Sequence, residues 1–189
     1  ETAVIEHYIS NRAVGIVMNV KTGEILAMST KPDFDPNEPY ALYDQTAAQE
    51  LEEFGKENDK DSEQYLKLQK ELWYDQWRNK AISDPYEPGS VFKLITAATA
   101  VDNNLVSLNE TFYCSGSIQV ADRRIGCWKT EGHGQQTFVE AVENSCNPSF
   151  VTIGHRIGAR LFYDYVDNFG IRELTGIDLP GEAEGIFHS

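Results

Sequence analysis

Ser90, Lys93, Ser145 and Asn147 are the residues of this chain whose types and spacing could do chemistry. A serine hydroxyl is a weak nucleophile until a neighbour takes its proton. Ser90 heads the apolar run Val91 to Val101, whose only charge is Lys93. Pro88 and Gly89 interrupt what precedes it, so a helix is predicted to start at Ser90 and to stop at Asp102-Asn103-Asn104. Residues i and i+3 share a helix face, which puts Lys93 one turn above the Ser90 hydroxyl at the positive end of the helix dipole. A desolvated lysine loses its proton more readily and can act as the base. Backbone N–H groups at the helix start would face a forming oxyanion. The run is apolar nearly all round, which predicts a buried helix. Ser145-Cys146-Asn147 is predicted to lie between two short helices, where a hydroxyl and an amide could relay a proton and hold a substrate amide. Both patterns also have purely structural readings. Ser90 could be an N-cap before a snorkelling lysine, and Asn147 could cap the helix that Pro148 opens.

A second set surrounds the Ser-x-Asn tripeptide. The chain has three cysteines, Cys114, Cys127 and Cys146, an odd number that cannot all pair internally. With His133 they make a Cys3His set, a ligand choice suited to tetrahedral zinc, although no C-x-x-C is present. Cys114 and Cys127 are expected on opposite arms of one hairpin, His133 in a loop between two glycines, and Cys146 beside Ser145 and Asn147. Asp122 could replace Cys114 as a ligand, but the hairpin bend would hold it far from Cys127. A disulfide between two of the three and a set of unrelated buried thiols are the competing readings. His7, His155 and His188 have no evident partners and read as structural or surface residues.

The elements that must position these groups follow from periodicity and breakers. Residues 14–28 read as a hairpin turning at Lys21-Thr22-Gly23, followed by a proline-marked loop. Residues 40–80 read as a helical insertion with a break near Gly55 and a solvated acidic face between Glu50 and Glu63. The aromatics of residues 73–77 are expected in the core. The nucleophile helix is placed at 90–102. A second hairpin is placed at 111–128, bending near Ala121-Asp122. A helical stretch over 137–169 carries Ser145 and Asn147: a capping box at Thr137-Phe138-Val139-Glu140, a helix opened by Pro148, and another from Ala159 to Phe169. Residues 181–189 read as the start of something extended. Strands, then helices, then an unfinished strand indicate an α+β domain whose sheet is completed beyond Ser189.

Composition excludes several classes. The net charge of −14 argues against a nucleic-acid backbone as partner and against electrostatic binding to an anionic membrane surface. No apolar run reaches the ~18 residues of a spanning helix. The sequence begins at Glu1 and breaks off in mid-pattern, so it reads as a piece of a longer chain whose anchor lies elsewhere.

Taken together, the motifs resemble a known family. Tyr86-Glu87-Pro88-Gly89-Ser90-Val91-Phe92-Lys93 resembles the S-x-x-K motif of penicillin-binding proteins, and Ser145-Cys146-Asn147 resembles their S-x-N motif. Lys21 to Met28, Trp77 to Asp84, and the run from Cys127-Trp128 through Gly132-His133-Gly134 to Pro148 resemble class B transpeptidases of Gram-positive spore formers, the sporulation-specific type. The resemblance spans residues 14–187. It implies the penicillin-binding transpeptidase fold, an antiparallel sheet flanked by helices with a helical subdomain, and a peptidoglycan D,D-transpeptidase with no cofactor required for its chemistry. Ser90 would form the acyl-enzyme with a stem peptide ending in D-Ala-D-Ala, and β-lactams would trap it. Lys93 would be the base, Ser145 would pass the proton to the leaving nitrogen, and Asn147 would hold the substrate amide. The Ser90 N–H would contribute to the oxyanion hole. The resemblance also implies a glycosyltransferase partner and an extracytoplasmic domain of a membrane-anchored protein. The family's third motif, K-T-G, is expected beyond Ser189, because Lys21-Thr22-Gly23 precedes Ser90 and reads as a turn. A serine β-lactamase or β-lactam sensor shares S-x-x-K, though the sensor and class D types resemble S-x-V. From another class, a non-catalytic module could use zinc only to hold a docking surface.

Overall fold

The computed structural model describes residues 12–187, so His7 and His188 lie outside the described residues. His155 is exposed. Two compact units divide the chain: residues 12–85 with 177–183, and residues 86–176 with 184–187.

In the first unit, β1 (Ala13–Met18) and β2 (Ile25–Lys31) pair antiparallel, with Ala13 opposite Lys31 and Ile16 opposite Met28. Lys21-Thr22-Gly23 is the turn between them. Gly23 has φ +76° and donates its N–H to the Asn19 carbonyl at 2.8 Å. Two helices follow, α1 (Gln45–Glu57) and α2 (Glu63–Trp77). Asp44 caps the first by accepting from the N–H groups of Thr46 and Ala47, and Ser62 caps the second by accepting from Tyr65. The break therefore falls at residues 58–62 and not near Gly55. Gly55 lies within α1, and it leaves room for the Tyr65 ring, since a Cβ there would stand 3.0 Å from it. The aromatics of residues 73–77 are not core either. Tyr74 is 64% exposed, and Trp73 and Trp77 use their indole N–H groups to hold the carbonyls of Tyr40 and Pro39. A short helix, α3 (Lys80–Ser83), closes the unit.

In the second unit, the 3-10 turn Gly89–Phe92 leads into α4 (Lys93–Asp102). The helix is not buried all round: Ile95, Thr99 and Ala100 are buried, while Leu94 and Val101 are 59% and 42% exposed. Only the face that meets the last helix is covered. The single hairpin expected at 111–128 is instead two ladders. Strand β3 (Thr111–Cys114) pairs with β6 (Gly134–Thr137), and β4 (Ser117–Val120) pairs with β5 (Arg123–Gly126). The inner bend is at Ala121, whose φ is +49°. The outer pairing is imposed at Gly116 and Gly132, where two loops cross. A Cβ on Gly116 would stand 1.9 Å from the Thr130 carbonyl oxygen, and one on Gly132 2.3 Å from that of Cys114.

Helix α5 (Phe138–Glu143) opens with the Thr137–Glu140 capping box, both halves present. The last helix, α6 (Asn147–Asn168), is two helical stretches joined at Gly158, whose φ of 71° and ψ of 161° break the ladder. Ala100, Val106, Phe112, Phe138, Ile153 and Ile157 form the main apolar core of this unit. A smaller buried cluster holds Cys114, Cys127, Ala141 and Cys146. No helix of the described residues is long and apolar enough to cross a membrane.

Candidate active site

Ser90 sits inside the 3-10 turn, one turn before α4 proper. The Lys93 N–H bonds back to the Ser90 carbonyl, three residues earlier. A 3-10 turn eclipses residues i and i+3 more closely than an α-helix does. The two side chains therefore meet, with Lys93 Nζ 3.2 Å from Ser90 Oγ. Ser90 is exposed and Lys93 half-buried. This is neither a serine N-cap nor a snorkelling lysine.

Lys93 Nζ also lies 2.8 Å from the Ser145 carbonyl, 3.0 Å from Ser145 Oγ and 2.5 Å from Asn147 Oδ1. The Ser145 carbonyl and Asn147 Oδ1 can only accept. An ammonium would fill three of its four neighbours with its three hydrogens. A neutral amine likewise has three positions, two hydrogens for the obligate acceptors and one lone pair that can accept from the hydroxyl of Ser90 or of Ser145. Burial pushes the Lys93 pKa below its ordinary value.

Ser145 owes its place to the end of α5. Its N–H bonds the Val142 carbonyl at 3.0 Å, and the Cys146 N–H bonds that of Ala141 at 3.0 Å. These two bonds, with Ser145 left-handed at φ +48°, make a Schellman motif. Cys146 and Ala141, both fully buried, supply its apolar contact. Two other helices of this unit end in the same way, with Asn104 (φ +54°) and Gly170 (φ +67°) in the left-handed seat. Gly is the usual occupant and Asn the tolerated one. Ser145 is the exception, and it is the one that faces Lys93.

The expected cap role of Asn147 is not what the structure shows. Cys146 is the N-cap of α6, and Asn147 is its first residue. The Asn147 amide is thereby free to work between elements. Its oxygen meets Lys93, and its Nδ2 donates to the Gly126 carbonyl at 2.8 Å, leaving one hydrogen for a further acceptor.

The four sequence-predicted metal ligands also come together. One donor atom each from Cys114, Cys127, His133 and Cys146 lies within 4.8 Å of all the others. Cys114 and Cys127 are not across a hairpin from each other. They meet because the Cys127 N–H bonds the Gly116 carbonyl at 2.8 Å, at the junction of the two ladders. Cys127 Sγ is 3.5 Å from His133 Nδ1, and His133 Nε2 is buried without a hydrogen-bond partner among the described residues. Burial pushes the Cys114 thiol up, but the N–H groups of His133 and Gly116 outweigh it and bring the pKa down to about 6. Burial raises that of Cys146. Sulfurs on one tetrahedral zinc stand about 3.8 Å apart, so the donor set fits such an ion after a small contraction. All three cysteines are free thiols in this structure. Asp122 is exposed at the tip of the β4–β5 bend and is not among the clustered ligands.

Sequence reasoning missed the groups behind this front. Gln136 and Ser149 are buried polar residues, and Trp128 donates its indole N–H to the Asn144 carbonyl at 2.8 Å. The sequence carried no signal for Gln136, because its inward place opposite Phe112 follows from the β3–β6 pairing that only the structure shows.

The family described as penicillin binding protein transpeptidase domain matches residues 13–189. The chain belongs to this family. Among the relatives of this transpeptidase domain, stage V sporulation protein D of Bacillus subtilis is 38% identical over 174 residues, which are 92% of this chain and 22% of that protein. The penicillin-binding protein PbpB of Mycobacterium tuberculosis is 29% identical over 90% of this chain and 21% of its own length. The crystal structure of penicillin binding protein 3 from Mycobacterium tuberculosis complexed with ampicillin matches 94% of this chain and 33% of that one, with a TM-score of 0.68 and 27% identity. The α+β transpeptidase fold expected from the motifs is thus the observed one. The domain spans about a fifth of the length of the curated relatives it matches.

Proposed function

We propose that this chain carries the nucleophile half of a serine D,D-transpeptidase acting on peptidoglycan stem peptides. The convergence of Ser90, Ser145 and Asn147 on a single half-buried amine, Lys93 Nζ, carries this reading. Ser90 Oγ attacks the carbonyl carbon of the penultimate D-alanine while the Lys93 amine takes its proton. The peptide C–N bond breaks, and the proton passes through Lys93 and the Ser145 hydroxyl to the leaving D-alanine nitrogen. The acyl-enzyme ester then yields to an amine of a neighbouring stem, and Ser90 regains its proton. The spare hydrogen of Asn147 Nδ2 serves the substrate amide. A β-lactam enters by the same first step and stays on Ser90. The names of the relatives support this reading, as does the ampicillin complex of one of them. The domain works outside the membrane in an anchored protein, beside a glycosyltransferase that supplies the glycan strand.

The test of activity is D-alanine release by the full-length protein from a donor peptide ending in D-Ala-D-Ala with an amine acceptor present. Release that disappears in Ser90→Ala is expected, and equal release from both proteins would overturn the reading.

The same reading includes a structural zinc held by Cys114, Cys127, His133 and Cys146. It would supply no chemistry to the substrate. It would tie β3, the β5–β6 connection and the Ser145–Asn147 turn to one point. About one zinc per chain is expected on metal analysis. A chelator should remove it, expose the three thiols to a thiol reagent and slow penicillin acylation. A metal-free native protein whose three thiols all react at once would contradict both the zinc and a disulfide.

A further inference from the structure

We propose that Gln136 is a positioning residue for the acylation step, through a buried amide clamp that holds Ser145 left-handed. The clamp rests on the transpeptidase reading above. The left-handed region is unfavourable for a non-glycine residue, so Ser145 stays there only if its surroundings demand it. The Schellman bonds set its backbone, and three further contacts secure its two neighbours. Asn144, which precedes it, donates from Nδ2 to Gln136 Oε1 at 3.0 Å, and its carbonyl accepts from Trp128 Nε1 at 2.8 Å. Cys146, which follows it, accepts on Sγ from the Ser149 hydroxyl at 3.3 Å. Gln136 joins the two sides, because its Nε2 donates to that same Ser149 Oγ at 3.2 Å.

One amide thus links the residue before Ser145 to the residue after it. Gln136 is 4% exposed and Ser149 1%, so no water replaces a lost partner cheaply. The strand behind Gln136 is itself fixed, with Gln136 opposite Phe112 in the β3–β6 ladder. The orientation of the amide is also fixed, since its oxygen faces an N–H donor and its nitrogen faces a hydroxyl oxygen. No apolar side chain of similar size can serve both ends. If the clamp opens, Ser145 can relax from its left-handed seat, and its hydroxyl and carbonyl leave Lys93 together. Gln136 touches neither the nucleophile nor the base in this arrangement. It acts through Ser145.

The experiment measures the second-order rate of acylation of the full-length protein by a labelled penicillin, below the melting temperature of every variant. Gln136→Leu should slow acylation about tenfold to a hundredfold, the scale set by small misplacements of reacting groups. Asn144→Ala opens the clamp from its half-buried end with little loss of packing and should act in the same direction. The decisive comparison places Gln136→Leu in a Ser145→Gly background. If Gln136 acts through the Ser145 hydroxyl, the second change costs nothing more. A wild-type rate in Gln136→Leu with only a lowered melting temperature would overturn the clamp. So would an equal fold-loss in both backgrounds, which is the signature of a merely structural role. A wild type that takes no penicillin overturns the transpeptidase reading and the clamp with it. A wild type that acylates while both single variants keep pace overturns the clamp alone.

Discussion

Lys93→Met should leave the domain folded and slow acylation of Ser90 about a thousandfold, within the range that removal of a positioned base produces. The side chain keeps its length and apolar stem, so the packing of the α4 start is retained. What disappears is the one group that Ser90, Ser145 and Asn147 all meet. The loss should exceed what a missing hydrogen bond costs, because no other amine, imidazole or carboxylate lies within hydrogen-bond distance of Ser90 Oγ among the contacts of the described residues. The pH profile separates a base from a mere donor. Burial lowers the Lys93 pKa, so the neutral amine is present at lower pH than for a free lysine. Wild-type acylation should therefore rise with pH and level off below the ordinary lysine range. In Lys93→Met that limb should vanish. A profile identical in shape for both proteins would show that Lys93 only donates hydrogen bonds.

Substitution at Ser145 should split stability from activity. Ser145→Ala and Ser145→Gly both remove the hydroxyl proposed as the relay, and each should lower the acylation rate by roughly a hundredfold. Their stabilities should differ in the opposite way to an ordinary helix position. Ala keeps the left-handed strain at φ +48°, while Gly adopts it freely, so Gly should be the more stable of the two by about 1 kcal/mol after its unfolded-state entropy is counted. Urea denaturation of the two variants checks the sign. Ala more stable than Gly would mean that the Ser145 seat is not strained. The other two helix ends show why the comparison is fair, since Asn104 and Gly170 fill the same seat where no chemistry is asked of it. At Ser145 a poorer occupant fills the seat, and its hydroxyl lies 3.0 Å from Lys93 Nζ.

Much of the candidate site's geometry was legible in the sequence because it is carried by short spacings. Ser90 and Lys93 are one turn apart whether that turn is α or 3-10, so the error about where the helix starts did not separate them. Ser145 and Asn147 flank one buried residue, and no fold could place them far apart. The grouping of Cys114, Cys127, His133 and Cys146 was legible for a different reason: its members are few, and each has a ligand side chain. What sequence could not supply was pairing. The alternation of residues 111–128 fits a single hairpin equally well, and only the close crossing at Gly116 and Gly132 decides for two ladders. The role of Asn147 was likewise open, because Asn and Pro together suit an N-cap at either Cys146 or Asn147. The helix start fell one residue earlier, and that released the amide for Lys93 and Gly126. The apolar run of α4 was misread as buried all round. Composition states what a face could bury, and only the neighbours of Leu94 and Val101 state what it does bury.

The most direct test of the central claim is the intact mass of the full-length protein after incubation with benzylpenicillin, with Ser90→Ala as the control. A stable adduct of one penicillin on the wild type, mapped to the peptide containing Ser90 and absent from the control, is the predicted result. A folded wild type whose mass does not change, or an adduct that persists in Ser90→Ala, would contradict the assignment of Ser90 as the activated nucleophile.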